Sequence, residues 1–152
     1  MTDSNAMLPF THERDVMAQL QFHNILVLDD EENSRVVLCK LLQNEGYNVS
    51  SAGNGDEALD MLHTTNYQLV ISDVNMPGMN GLDFLKRAQK LRPEIKIIMV
   101  TAYGDISSYL EAMNFGASEY LNKPVRIKEL TSVMHKLTHC STAPSGGDTR
   151  EA

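Results

Sequence analysis

Short apolar segments alternate with amphipathic helical segments along most of this chain, and no other sequence feature constrains the fold as strongly. The segments with the length and apolarity of buried strands cover residues 24–29, 47–52, 68–73, 96–101 and 119–122. Each is followed by apolar residues at helical spacing, over residues 32–45, 54–64, 82–91, 107–114 and 127–137. Apolar strands joined through helices form a parallel sheet that is covered on both faces. The sequence therefore predicts a doubly wound α/β fold of five βα units, with helices on both faces of the sheet.

The first predicted helix illustrates how burial is inferred from the spacing. Its apolar residues are expected to form one stripe that faces the sheet. The stripe consists of Val36, Val37, Leu38, Leu41 and Leu42.

The two ends of the chain lack this alternation. Residues 1–22 are interpreted as an N-terminal extension, in which Val16, Met17 and Leu20 have the spacing of one short helix. Residues 23–138 are predicted to form a single domain, and residues 139–152, rich in Ser, Thr, Gly and Pro, a flexible tail or linker. No apolar run approaches the roughly 20 residues of a membrane span, and the N-terminus does not resemble a secretory signal. We therefore expect a cytoplasmic protein with no membrane partner.

The charge balance bears on the class of partner. The chain has 20 acidic and 13 basic side chains, which gives a formal net charge of −7. Nonspecific binding to a nucleic-acid backbone needs a basic face that neutralises phosphates. No direct binding of nucleic acid by this domain is expected.

The residues with chemical potential lie where the predicted strands end. Asp29 and Asp30 end the first strand, Asp73 the third, Thr101 the fourth and Lys123 the fifth. In doubly wound sheets, ligands bind beyond the carboxyl ends of the strands, where the strand order reverses. If the first and third strands are neighbours, the three carboxylates repel one another unless a cation such as Mg²⁺ binds among them. A carboxylate nucleophile, a divalent cation, a lysine and a hydroxyl donor are the groups that phosphoryl transfer needs.

A simpler interpretation treats Asp29 and Asp30 as acids at the N-terminus of the following helix, where the helix dipole favours negative charge. It leaves Asp73, Thr101 and Lys123 at three other strand ends unexplained, so the shared site is favoured.

Taken in order, these residues resemble the receiver domain of two-component response regulators, over approximately residues 23–137. The segments that carry the resemblance are Asp29-Asp30, Asp73 in ISDVNMPGMNG, Thr101-Ala102 in IIMVTAYGD and Lys123-Pro124 in EYLNKP. The resemblance implies a flavodoxin-like, CheY-like (βα)5 fold with five parallel strands in the order 2-1-3-4-5.

The resemblance also implies a role for individual residues. Asp73 resembles the phosphoacceptor, and Tyr120 together with Thr101 resembles the conformational switch. The implied Mg²⁺ ligands are Asp29, Asp30, Asp73 and the backbone carbonyl of Asn75. The implied phosphoryl-binding groups are Thr101, the Ala102 amide and Lys123, and the residues implied to shape the loops are Pro77, Gly78, Gly81 and Pro124.

The implied function is to accept a phosphoryl group from a sensor histidine kinase or a phosphotransfer protein. The domain would not turn over a substrate as an enzyme, although its acyl phosphate could hydrolyse autonomously. Phosphorylation would change the face formed by the fourth helix, fifth strand and fifth helix. A homodimer that forms through this face is left open. The sequence also leaves open whether the chain is a stand-alone regulator or the receiver piece of a longer transcriptional regulator.

Two other classes of protein share some of these features. Phosphatases of the haloacid dehalogenase type use an Asp nucleophile in a DxD motif on the first strand, whereas Asp29 and Asp30 are adjacent and the best nucleophile is Asp73 on the third strand. A pseudo-receiver that only docks partners would not need the complete set of acids, Thr101 and Lys123.

Overall fold

The computed structural model describes residues 23–142 of the chain. Its strands are β1 (Asn24–Leu28), β2 (Asn48–Ala52), β3 (Leu69–Asp73), β4 (Lys96–Thr101) and β5 (Glu119–Asn122). Its helices are α1 (Glu32–Asn44), α2 (Gly55–Thr64), α3 (Gly81–Leu91), α4 (Ile106–Asn114) and α5 (Ile127–Thr142). The alternation predicted from the sequence is confirmed, and α5 continues beyond the predicted end at residue 137. The predicted N-terminal extension and the part of the tail after residue 142 lie outside the described residues.

The five strands form one parallel sheet in the order β2-β1-β3-β4-β5, as expected. The order reverses between β1 and β3, where Leu28 pairs with Ser72 in parallel register. On the other side of β3, Asp73 pairs with Val100. The carboxyl ends of β1, β3 and β4 therefore lie side by side.

Alternate residues of each strand belong to two separate apolar layers. In β1, Leu26 and Leu28 face α2, α3 and α4, where the fully buried Phe84 packs. Ile25 and Val27 face α1 and α5 on the opposite side of the sheet. This alternation follows from the two-residue period of a strand, and each face of the sheet is covered by its own helices. Among the helices in the described residues, none has the length and apolarity that a membrane span requires.

The predicted apolar stripe of α1 is only partly buried. Leu42 is fully buried, whereas 45 % of Val36 and 58 % of Val37 are exposed. Side chains advance by roughly 100° per residue around a helix, so five apolar residues between positions 36 and 42 cover too wide an arc to face one sheet together. The expectation of a single inward stripe was wrong for Val36 and Val37, whose side chains are largely exposed.

Candidate functional site

Three carboxylates meet where β1 and β3 end next to each other. Asp29 follows β1 directly, and Asp73 is the last residue of β3. One carboxylate oxygen from each of Asp29, Asp30 and Asp73 lies within 4.8 Å of the others. Asp29 is only 6 % exposed and Asp73 only 8 %, while Asp30 is open to solvent. The structure therefore brings together the three acids that the sequence placed at the strand ends.

Lys123 supplies a positive charge to this cluster from the end of β5. Its Nζ donates to Asp29 Oδ2 and to Asp73 Oδ2, each at 3.1 Å. The backbone N–H of Lys123 donates to the carbonyl oxygen of Thr101 at 2.8 Å, and the peptide bond before Pro124 is cis. One ammonium among three carboxylates leaves an excess negative charge of two. This charge and the all-oxygen donor set fit a divalent cation such as Mg²⁺.

The environment shifts the pKa of both Asp73 and Lys123. Burial raises the pKa of Asp73, and the Asp29 carboxylate adds to this, although Lys123 and the backbone N–H of Asn75 act in the opposite direction. Burial disfavours the ammonium of Lys123, but its hydrogen bonds to Asp29 and Asp73 outweigh this and raise its pKa. Lys123 is therefore cationic at neutral pH, and the Asp73 carboxylate is more basic than a solvated carboxylate.

The orientation of Asp29 is determined by its neighbours in α1. Its Oδ1 accepts from the backbone N–H of Glu31 at 2.9 Å, and its backbone carbonyl accepts from the guanidinium of Arg35 at 2.7 Å. These contacts leave Oδ2 directed at Lys123. The sequence analysis did not identify Arg35, because a charged residue in the first turns of a helix is ordinarily exposed to solvent.

Thr101 is fully buried and is linked through Asn75 to the loop after β3. The Thr101 hydroxyl accepts from the side-chain amide of Asn75 at 3.1 Å and from the backbone N–H of Tyr103 at 3.1 Å. The backbone N–H of Asn75 donates to Asp73 Oδ1 at 3.2 Å. Asn75 was predicted as a metal ligand through its backbone carbonyl, and the structure adds that its backbone N–H and side-chain amide connect Asp73 with Thr101.

Tyr120 lies between the site and α4. Its hydroxyl is 3.0 Å from Ser108 Oγ, and its ring packs edge-on against Tyr109 with the centroids 5.5 Å apart. A Cβ added to Gly104 would lie 3.0 Å from Thr101 Cγ2 and 3.2 Å from Tyr120 Cε1. Tyr120 therefore connects the region around Thr101 with α4, and Gly104 and Ser108 are two contributors that sequence reasoning missed.

The loop after β3 depends on two of the predicted glycines. A Cβ at Gly81 would collide with the carbonyl oxygen of Asp73 and lie 2.7 Å from Val74 Cα, so no side chain fits there. Gly78 has φ of +75°, which only glycine adopts readily. The Asn80 side chain then accepts from the backbone N–H of Asp83 and caps α3. Close packing of this loop positions the backbone of Asp73.

Comparison with known sequences identifies relatives along most of the chain. A family model described as the response regulator receiver domain matches residues 25–135. The DNA-binding transcriptional regulator NtrC of Azospirillum brasilense is 37 % identical over 121 residues, which cover 80 % of this chain and 25 % of that protein. Sporulation initiation phosphotransferase F of Bacillus subtilis is 35 % identical over 112 residues, which cover 74 % of this chain and 90 % of that protein. The chain thus spans about a quarter of the first relative and most of the second.

Comparison with solved structures gives the same result. A CheY-like response regulator receiver domain protein from Methanospirillum hungatei has a TM-score of 0.74 and 32 % identity, over 77 % of this chain and 94 % of that one. A response regulator from Burkholderia pseudomallei, solved with a phosphorylated aspartic acid, a calcium ion and citrate, has a TM-score of 0.72 and 28 % identity, over 79 % of this chain and 71 % of that one.

Proposed function

The chain belongs to the response regulator receiver domain family of two-component signalling, and from this premise we propose that Asp73 is its phosphoacceptor. Receiver domains accept phosphoryl groups and are not classical enzymes. The observation that carries the assignment is the position of the Asp73 carboxylate, which is buried, hydrogen-bonded to Lys123 and flanked by Asp29 and Asp30 at the end of the central strand. We propose residues 23–138 as the phosphorylated unit.

Asp29, Asp30, Asp73 and the backbone carbonyl of Asn75 are the ligands proposed for Mg²⁺. The oxygens of the three acids are close enough to share one ion, and the excess negative charge matches its charge. When bound, Mg²⁺ neutralises charge on the attacking carboxylate and on the phosphoryl oxygens. Arg35 and the backbone N–H of Glu31 position Asp29 for this role.

Lys123, Thr101 and the Ala102 amide are proposed to hold the phosphoryl oxygens. An oxygen of Asp73 attacks the phosphorus of a phosphohistidine, the P–N bond breaks, and an acyl phosphate remains on Asp73. The Lys123 ammonium already contacts Asp73 and provides a point charge for one phosphoryl oxygen. Thr101 lies at the end of the neighbouring strand β4, with its hydroxyl held by Asn75 and Tyr103.

The connection between Thr101 and Tyr120 supports a conformational switch. The Thr101 hydroxyl accepts from Asn75 and Tyr103, so its own O–H can donate to a phosphoryl oxygen on Asp73 when Thr101 moves toward it. Its displacement makes room for Tyr120 to turn inward and to leave Ser108. This movement changes the face formed by α4, β5 and α5, on which Ile106 and Leu110 are exposed.

The proposed partners are a sensor histidine kinase or a phosphotransfer protein as the phosphoryl donor, and an output that recognises the α4-β5-α5 face. A homodimer through this face is one such output. The named relatives include both a DNA-binding transcriptional regulator and a phosphotransferase, so they support either a stand-alone protein or the receiver of a longer one. Autonomous hydrolysis of the acyl phosphate is proposed to return the domain to its resting state.

Intact-mass spectrometry after incubation with acetyl phosphate and Mg²⁺ tests the assignment. We expect the wild-type protein to gain the mass of one phosphoryl group, and Asp73→Asn to gain none. Asp60→Asn is the matched control, because Asp60 is an exposed residue of α2 that does not belong to the cluster of three acids. An adduct on Asp73→Asn equal to that on the wild type, or none on the wild type, would overturn the proposal.

A further inference from the structure

A cavity of about 300 Å³ opens beside Asp73, between the sheet and the N-terminal part of α1. Asp29, Asp73 and Lys123 form its polar end. Asn33 and Ser34 of α1 add two polar side chains, and the aliphatic side chains that the inference uses are Val27, Ile71, Val100, Val37, Leu38 and Val125. The cavity thus joins the phosphoacceptor carboxylate to an apolar pocket.

The arrangement of α1 explains why this space exists. Leu42, near the end of the helix, packs fully against the sheet, whereas Val37 is 58 % exposed at the side of the cavity. The phosphoryl group and the cation of the proposed function need oxygen and ammonium partners, and neither uses an aliphatic wall. The apolar part of the cavity is therefore available to another portion of a phosphoryl donor.

We propose that the cavity accepts the hydrocarbon part of a small acyl phosphate, so that the domain prefers donors with longer or aromatic acyl groups to acetyl phosphate. This inference rests on the proposed role of Asp73 as the phosphoacceptor. Lys123 attracts the phosphate while the aliphatic side chains favour the hydrocarbon portion. A cavity of about 150 Å³ is sufficient for a benzene ring, so the observed volume is large enough for a benzoyl group.

The chemistry of the transfer is balanced without any further reactant. An oxygen of Asp73 attacks the phosphorus of the donor, and a P–O bond forms as the bond between phosphorus and the acyl oxygen breaks. The electron pair of the broken bond remains on the departing carboxylate, such as butyrate or benzoate, and no proton is transferred. The phosphoryl group stays on Asp73 as an acyl phosphate.

The rate of Asp73 phosphorylation with acetyl, butyryl and benzoyl phosphate measures the preference. At equal subsaturating concentrations with Mg²⁺, each buried methylene contributes about fourfold, so we expect butyryl phosphate, with two more methylenes, to react about fifteenfold faster than acetyl phosphate and benzoyl phosphate at least as fast as butyryl phosphate. Val37→Phe enlarges a side chain that lines the cavity and should reduce the preference to about twofold. Comparing variants with the same donors removes differences in intrinsic reactivity between the donors.

Val36→Phe is the matched control on the same helix, because Val36 is 45 % exposed and does not line the cavity. This variant should keep the wild-type preference. Equal rates with all three donors, or an equal preference in Val37→Phe and wild type, would overturn the inference. The latter outcome is expected if the cavity instead receives a side chain of a protein partner. Failure of acetyl phosphate to label Asp73 at all would instead refute the proposed function.

Methyl NMR of the wild-type protein with benzylphosphonate, which cannot transfer its phosphorus, provides a test that does not depend on a variant. We expect the methyl signals of Leu38 and Val125 to shift on titration. Those of Val49 in β2, which does not line the cavity, should stay unchanged. Unchanged Leu38 and Val125 signals at a concentration that slows labelling by benzoyl phosphate would contradict binding in the cavity.

Discussion

Replacing Lys123 by methionine would leave two buried carboxylates without a counter-charge. Asp29 and Asp73 are each less than a tenth exposed, and both place Oδ2 3.1 Å from Nζ of Lys123. Removing one partner of a buried ion pair costs about 3–5 kcal/mol. The side chain of Lys123 is 25 % exposed, so solvent screening reduces this cost. We expect Lys123→Met to lower the free energy of unfolding by about 2–3 kcal/mol at neutral pH without divalent cations.

Urea denaturation followed by circular dichroism, first with EDTA and then with Mg²⁺, measures this effect. Mg²⁺ should stabilise Lys123→Met more than the wild type, because the cluster without its ammonium binds a cation more tightly. Lys128→Met, at an exposed position of α5, is the control and should stay within about 0.5 kcal/mol of the wild type. The reasoning would be refuted by a similarly small change in Lys123→Met, or by equal stabilisation of both proteins by Mg²⁺.

Three further predictions concern stability and use the same unfolding assay. Gly81→Ala should cost about 3 kcal/mol, because its Cβ meets backbone atoms. At Gly53 the added Cβ meets only the ends of the Arg35 and Glu57 side chains, so Gly53→Ala should cost less than about 1 kcal/mol; similar costs would contradict the account of the loop. Tyr120→Phe and Ser108→Ala should each lower the free energy of unfolding by about 1 kcal/mol, because each removes the same hydrogen bond. The double variant should lose no more than either single variant, and additive losses would argue against a shared hydrogen bond. Asp73→Asn should be more stable than the wild type at neutral pH, and the difference should shrink as the pH falls. The reason is that the raised pKa of Asp73 makes the folded protein bind this proton more tightly than the unfolded chain does. A difference that grows in acid would contradict the assigned shift.

The position of the site could be predicted from the sequence because it depends on strand ends. Once the apolar runs predict parallel strands, the residues that follow them lie at one edge of the sheet, and Asp29, Asp73 and Lys123 meet there as expected. No knowledge of side-chain packing is needed for this step. The loop glycine at position 81 was likewise signalled by its place within the motif after β3.

Contacts that depend on the packing of helices against the sheet could not be predicted in this way. The wrong expectation for Val36 and Val37 arose because spacing alone does not tell which part of a wide apolar arc faces the sheet. Arg35 has the sequence pattern of an ordinary exposed helical residue, and its contact with the carbonyl of Asp29 follows from the three-dimensional placement of α1. The bond between Ser108 and Tyr120 likewise joins two elements that no local pattern relates.

The central claim is that Asp73, within a cluster of three acids, is the residue that carries the phosphoryl group. Borohydride reduction converts an aspartyl phosphate to homoserine, and tandem mass spectrometry of the digested protein then locates the modified position. After labelling in Mg²⁺, the account predicts homoserine at position 73 alone, and none after labelling in EDTA. Homoserine at Asp29 or Asp30, or its formation without a divalent cation, would contradict the account.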